Sequence, residues 1–165
     1  MIETTTCGQD RPKFLCDAML GSLARWLRFF GFDATYLDPG VPDRVLAALA
    51  RSEGRWLLTR DRELAAVGPR TSLVRSETLD DQLVEVLSRH GLYPTAELER
   101  ARCGQCNGDL EPVEREEVAE VIPPYVAATA PRFRRCSGCG QVYWPGSHSA
   151  RIVARMQSII QRLNV

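Results

Sequence analysis

The chain has 165 residues, of which 44% are hydrophobic and 25% charged, enough apolar mass for a real core and too much for wholesale disorder. Lys plus Arg and Asp plus Glu both total 21, which excludes a polybasic binder held by bulk charge. No apolar run is long enough to span a membrane, and Met1 to Pro12 lacks the apolar core of a signal peptide, so a cytoplasmic protein without a membrane partner is expected.

Met1 to Pro12 reads as a polar, flexible tail. Phe14 to Cys16 forms a short strand that stops at Asp17, and Ala18 to Phe30 an amphipathic helix with Leu20, Leu23, Leu27 and Phe30 inward, ended by Gly31. A second strand, Ala34 to Leu37, closes at Asp38-Pro39-Gly40 and leads to a helix over Asp43 to Glu53. Arg55 to Thr59 is a third strand, followed by a helical turn around Arg62 to Ala66, a fourth strand at Thr71 to Val74 and a helix over Leu79 to Arg89. This alternation predicts an α/β domain over residues 13–94, its small parallel sheet covered on both faces, with ligands beyond the carboxyl ends of the strands.

Periodicity then breaks. Residues 95–148 are rich in Cys, Gly, Pro and charge, and Arg102 to Tyr143 is expected to fold only with help beyond apolar burial. Helical spacing resumes at Ser147, with Ser147 or Ser149 as cap, and residues 149–165 form an amphipathic helix carrying Ile152, Val153, Met156, Ile159, Ile160 and Leu163. It either packs back onto the first domain or closes the cysteine-rich module. Charge is uneven here: Thr95 to Glu120 holds eight acids and three bases, and Ile122 to Val165 six arginines and no carboxylate. The basic tail is expected to face a polyanion.

Cys103-Gly-Gln-Cys106 and Cys136-Ser-Gly-Cys139 are two tight pairs. Four thiolates so spaced predict one tetrahedral structural zinc, with no open position for chemistry and with binding energy that is largely folding energy. Cys7 is read as a tail thiol and Cys16 as a buried strand residue. Asp17, Asp43 and Asp61 are candidate carboxylate ligands for Mg2+ or Mn2+, two at strand ends and one at a helix start, and Thr59 stands where its hydroxyl can orient a water or an aspartate. Each aspartate also has a plain reading as a cap or turn residue. Arg25 and Arg28 share a helix face, and Arg60 and Arg62 flank Asp61; all four are candidate phosphate contacts. Arg132, Arg134 and Arg135 with Tyr143, Trp144 and His148 suit contact with single-stranded RNA; alternatively Trp144 seals the ribbon and His148 fixes that corner. His90 is read as a helix-end residue, and Trp26 and Trp56 as core.

Phe14-Leu-Cys-Asp-Ala-Met-Leu-Gly-Ser-Leu-Ala-Arg-Trp-Leu-Arg28, Trp56-Leu-Leu-Thr-Arg-Asp-Arg-Glu-Leu64, Cys103-Gly-Gln-Cys-Asn-Gly-Asp-Leu110 and Cys136-Ser-Gly-Cys-Gly-Gln-Val-Tyr-Trp-Pro-Gly-Ser-His148 resemble the Mut-seven C-terminal RNase family. The resemblance implies a three-layer PIN-like domain joined to a zinc ribbon, with metal-dependent RNA cleavage. It puts the PIN acids on Asp17, on Asp43 in Asp43-Arg-Val-Leu-Ala-Ala48, and on Asp61 after Thr59. A further helical acid usual in PIN nucleases has no counterpart. Asp38 is its only stand-in at a strand end. The expected function is a ribonuclease using Mg2+ or Mn2+, with RNA, single-stranded or tRNA, as substrate, and an antitoxin or a second copy as possible partner. The competing readings are an inactive RNA-binding or ribosome-associated module, a toxin-like tRNA endonuclease, and a zinc-ribbon scaffold for proteins.

Overall fold

A computed structural model describes residues 11–164. Cys7 and most of the N-terminal tail lie outside the described residues. Strands β1 (Phe14–Cys16), β2 (Ala34–Tyr36), β3 (Trp56–Thr59) and β4 (Thr71–Leu73) form one parallel sheet in the order β2-β1-β3-β4. Leu15 on the central strand pairs with Thr35 on one side and Leu57 on the other. Such a sheet must be covered twice, and side chains alternate accordingly. Phe14, Cys16 and Leu58 face a core built with α1 (Gly21–Phe29) and α4 (Leu79–Arg89), while Leu15 and Leu57 face Leu46, Ala50 and Leu64 of α2 (Asp43–Ser52) and α3 (Arg62–Ala65). This is the expected α/β architecture.

The helix expected over residues 18–30 is divided. Asp17 accepts the Met19 amide at 2.9 Å and tightens Ala18–Leu20 into a 3-10 turn before α1 begins. Gly31 ends α1 in the left-handed region at φ +83°, where an added Cβ would sit 2.7 Å from the Arg100 carbonyl oxygen. Only glycine tolerates both the torsion and the approach.

The cysteine-rich module is the antiparallel sheet β5 (Leu110–Val113), β6 (Phe133–Cys136), β7 (Val142–Tyr143). Two short helices, α5 (Arg115–Val118) and α6 (Pro124–Thr129), are inserted between β5 and β6. Contrary to expectation the module has an apolar core of its own: Val118, Ile122, Ala130, Phe133 and Val142 are buried, with Trp144 packed against them. The last helix, α7 (Ser147–Leu163), starts after Gly146, whose amide donates to the Ser149 hydroxyl at 2.8 Å. It packs back on the first domain, placing Met156 and Ile159 in the main core beside Leu83 and Leu87.

Candidate functional site

At the carboxyl edge of the parallel sheet, β1 ends in Asp17 and β3 in Thr59, both buried. Asp17 Oδ2 accepts the Thr59 hydroxyl and the Arg60 amide, the latter at 3.3 Å, while Oδ1 takes the Met19 amide. Thr59 Oγ1 in turn accepts the Asp61 amide at 2.9 Å, and Asp61 Oδ1 caps α3 by accepting the Glu63 and Leu64 amides at 2.7 and 3.1 Å. The buried Asp17 carboxylate is thereby linked through the Thr59 hydroxyl to the backbone amide of Asp61, whose exposed carboxylate is turned to the α3 amides. Asp43 is the first residue of α2 rather than its cap, which is Pro42, and both it and Asp38 are exposed. Among the described residues no three carboxylates bring their oxygens within 4.8 Å of one another. Beside Asp17, the Cys16 thiol is fully buried and burial pushes its pKa well up, leaving it a neutral core group.

The four cysteines are brought together. Their sulfurs all lie within 4.8 Å of one another, with Cys103 and Cys139 at 3.6 Å and Cys106 and Cys136 at 3.3 Å, and none is in a disulfide. Zn–S bonds of about 2.3 Å at tetrahedral angles put sulfurs about 3.8 Å apart, so the set fits a zinc ion. Gly108 permits the close approach: a Cβ there would meet Cys136 Sγ at 2.8 Å and Cys106 Sγ at 3.3 Å. Tyr143 Oη lies 3.1 Å from Cys103 Sγ. Burial pushes the phenol pKa up, so it keeps its proton and donates to the sulfur. Burial raises the Cys103 thiol, but the Tyr143 phenol and the Cys106 and Gln105 amides outweigh it and lower the pKa to about 6. Cys103 and Cys136 are buried, Cys106 and Cys139 exposed, so the cluster is open to solvent on one side.

The first knuckle is bolted to the edge of the parallel sheet. Arg28 Nε donates to the Ala34 carbonyl at 2.7 Å, and its Nη1 to the Gly104 and Gln105 carbonyls at 3.0 and 3.1 Å. Asn107, in the left-handed region at φ +70°, accepts the Ala34 amide at 3.1 Å and donates to Asp33 at 2.7 Å. Arg55 pairs with the same Asp33 oxygen at 2.6 Å. Partial burial works against ionisation of Asp33, but the hydrogen bonds from Arg55 and Asn107 hold its carboxyl below the ordinary value.

The Mut7-C RNAse domain family matches residues 12–156. The chain belongs to that family. It is also similar to the human protein described as "Exonuclease mut-7 homolog", 33% identical over 103 residues, which cover 59% of this chain and 12% of the human protein. The chain therefore aligns with only a small part of that relative. No solved structure matches.

For this Mut7-C RNAse domain, the cationic residues read from the sequence divide into two groups. Arg28 is buried, its guanidinium committed to three carbonyls, so it is a strut and not a phosphate contact. Arg134 donates to the Leu98 and Glu99 carbonyls, each at 3.0 Å, and to Leu110; Arg135 donates to the Glu117 carbonyl at 2.7 Å; Arg132 pairs with Glu99. In α7, Arg155 and Arg162 reach Asp80 and Asp81 at 2.7 and 2.5 Å. The basic tail thus sets most of its guanidinium groups on groups of its own chain, three of them in exposed ion pairs. Tyr143 and Trp144 are half-buried, one against sulfur and the other against the module core, and are not an exposed stacking pair. His148 is exposed in the first turn of α7. Arg25 and Arg62 are exposed and Arg60 half-buried, and no described group accepts a hydrogen bond from their guanidinium groups. Asn107 and Asp33 were not singled out from the sequence; the Asn-Gly step after Cys106 was the available signal for a left-handed turn.

No described helix is long and apolar enough to cross a membrane.

Proposed function

We propose that this domain is a metal-dependent ribonuclease acting at the carboxyl edge of the parallel sheet. The observation that supports this most is the Asp17–Thr59–Asp61 hydrogen-bond chain, lying where open α/β sheets bind ligands, in a chain of the Mut7-C RNAse domain family. Mg2+ and Mn2+ prefer oxygen donors, and Mg2+ usually keeps several waters while binding one or two carboxylates, so a cage of three is not required. Asp17 and Asp61 would hold the ion, and Asp43 and Asp38 make the edge acidic around it. Bound there, the ion supplies charge neutralisation at a phosphoryl oxygen.

The residues of the chain do the positioning. Thr59 fixes the Asp17 carboxylate by donating to Oδ2, and through the Asp61 amide it sets the start of α3. Arg60 and Arg62 flank Asp61, and with Arg25 they are among the described cations whose guanidinium groups have no partner and can meet phosphates. The four-cysteine module is structural in this scheme: its zinc holds the knuckle that grips β2. RNA is the proposed substrate class, in keeping with the RNAse description of the family, with single-stranded RNA and tRNA as the forms to test.

The test is incubation of the zinc-loaded protein with labelled single-stranded RNA, structured RNA and DNA, in EDTA, Mg2+ or Mn2+. RNA cleavage that requires the added ion supports the proposal, and the preferred strand type identifies the substrate. A second reading, an RNA-binding module without turnover, is favoured by the lack of a carboxylate cluster among the described residues. It predicts salt-sensitive RNA binding with no cleavage under any ion.

A further inference from the structure

The helical insert between β5 and β6 carries features that neither the metal site nor the carboxylate edge uses. Its turn from α5 to α6 exposes Val121 and Tyr125, 70% and 77% accessible, with Pro123 and Pro124 exposed between them. Ile122 in the same turn is buried in the module core, so the turn is anchored from below. Around it, Glu111, Glu114, Glu116, Glu117 and Glu120 are all exposed, and among the described residues none is in an ion pair. Two bases adjoin these acids: Arg115, exposed, donates to the Ala127 and Ala130 carbonyls with its guanidinium 5.9 Å from the centre of the Phe133 ring, and Arg135, opposite Glu111 in register, donates to the Glu117 carbonyl.

A cluster of large apolar side chains facing water marks a binding surface, and its unneutralised acidic rim decides the sign of the partner. A phosphate backbone would be repelled. We propose that the α5–α6 turn docks a basic protein surface, one offering an apolar socket to Tyr125 within a frame of Lys or Arg. The apolar knob covers a few hundred Å2 at most, well under the roughly 800 Å2 per partner of a standard interface. Charge must therefore contribute much of the specificity and encounter rate, and the complex is transient and salt-sensitive. This surface stands independently of the nuclease reading.

The experiment uses the full zinc-loaded chain, labelled with 15N and titrated with a helical Lys/Leu peptide, its Glu/Leu counterpart and an oligouridine, with sedimentation run in parallel. The expected result is that the Lys/Leu peptide shifts amides of residues 114–126. Binding falls by about fivefold or more in Tyr125→Ser and in the triple Glu116→Gln, Glu117→Gln, Glu120→Gln variant, each keeping its zinc and thermal midpoint. Higher salt weakens it too. The proposal is overturned if the shifts map elsewhere, if the Glu/Leu peptide binds as well, or if Tyr125→Ser changes nothing. Oligouridine shifts at this turn would make it a nucleic-acid face, and a dimer dissolved by Tyr125→Ser would make it a self-interface; either result also overturns it.

Discussion

Replacing Arg28 by Met should uncouple the cysteine module from the parallel sheet. The side chain is 6% exposed and its guanidinium serves the carbonyls of Ala34, Gly104 and Gln105. Hydrogen bonds to a charged group contribute about 1.5–3 kcal/mol each, and an orphaned buried acceptor costs about 1–3 kcal/mol. Relief of the buried charge offsets part of this, since burial already pulls the Arg28 pKa down from its ordinary value. A net loss of about 3–5 kcal/mol follows, a large part of the roughly 5–15 kcal/mol typical of a domain. With a urea slope of about 2 kcal/mol/M, the unfolding midpoint of the zinc-loaded protein, followed by tryptophan fluorescence, should drop by about 1.5–2.5 M. Arg28→Lys should fall between the two, because one ammonium cannot span carbonyls on both units. Hydrogen exchange at Ala34 should accelerate in Arg28→Met, since the Asn107 bond to that amide depends on the docked knuckle. A midpoint shift equivalent to less than about 1 kcal/mol, with Ala34 still protected, would refute the reasoning.

Other consequences follow from single contacts. Tyr143→Phe removes the donor to Cys103 Sγ and should weaken zinc affinity by about tenfold in chelator competition, with a shifted Co2+–thiolate absorption band on metal exchange. His90 packs edge-on against Trp56 and Phe14, with ring centroids 4.7 and 5.3 Å away, and its buried Nε2 has no partner among the described residues. Burial and then Arg89 lower its pKa, so the unfolded chain binds the proton more readily. Stability is then full above the unfolded value of about 6.5 and falls as pH drops through it. His90→Leu should flatten the dependence of the urea midpoint between about pH 7.5 and 5.5 relative to wild type, and equal slopes would count against this. Gly31→Ala should lower the thermal midpoint by several degrees, for both its φ of +83° and the 2.7 Å approach to the Arg100 carbonyl.

The parallel sheet was legible because short apolar runs and amphipathic stretches alternate, and because Leu20, Leu23 and Leu27 repeat at helical spacing. The strand ends at Asp17 and Thr59 followed from the same pattern. What escaped has a common physical cause. Arg28 is held by carbonyls, and the Gly104 carbonyl is 76 residues away; a backbone oxygen leaves no mark in residue identity. Arg155 finds Asp80 across 75 residues, so counting charge along the tail does not show where that charge is paired. The module core was missed because Cys, Gly, Pro and charged residues together fill more than half of Arg102 to Tyr143, although Val118, Ile122 and Val126 recur at intervals of one helical turn. The four-cysteine cluster was readable because ligand spacing is local within each pair. Whether Asp43 joins Asp17 in one group was not, since it depends on how the loop after β2 carries the chain to α2.

The measurement that bears most directly on the nuclease reading is a comparison of wild type and Asp17→Asn for both RNA cleavage and RNA binding, in zinc-loaded protein with Mn2+ or Mg2+. Asparagine keeps the shape but has one amide oxygen, so it can accept either the Met19 amide or the Thr59 hydroxyl, which Asp17 takes on separate oxygens, and it removes the charge that would hold the ion. Cleavage should disappear while RNA affinity stays close to wild type and the protein remains folded, with a thermal midpoint lowered by only several degrees for the acceptor lost. Undiminished cleavage, or cleavage, binding and thermal midpoint falling together, would contradict the account and leave Asp17 as a turn cap.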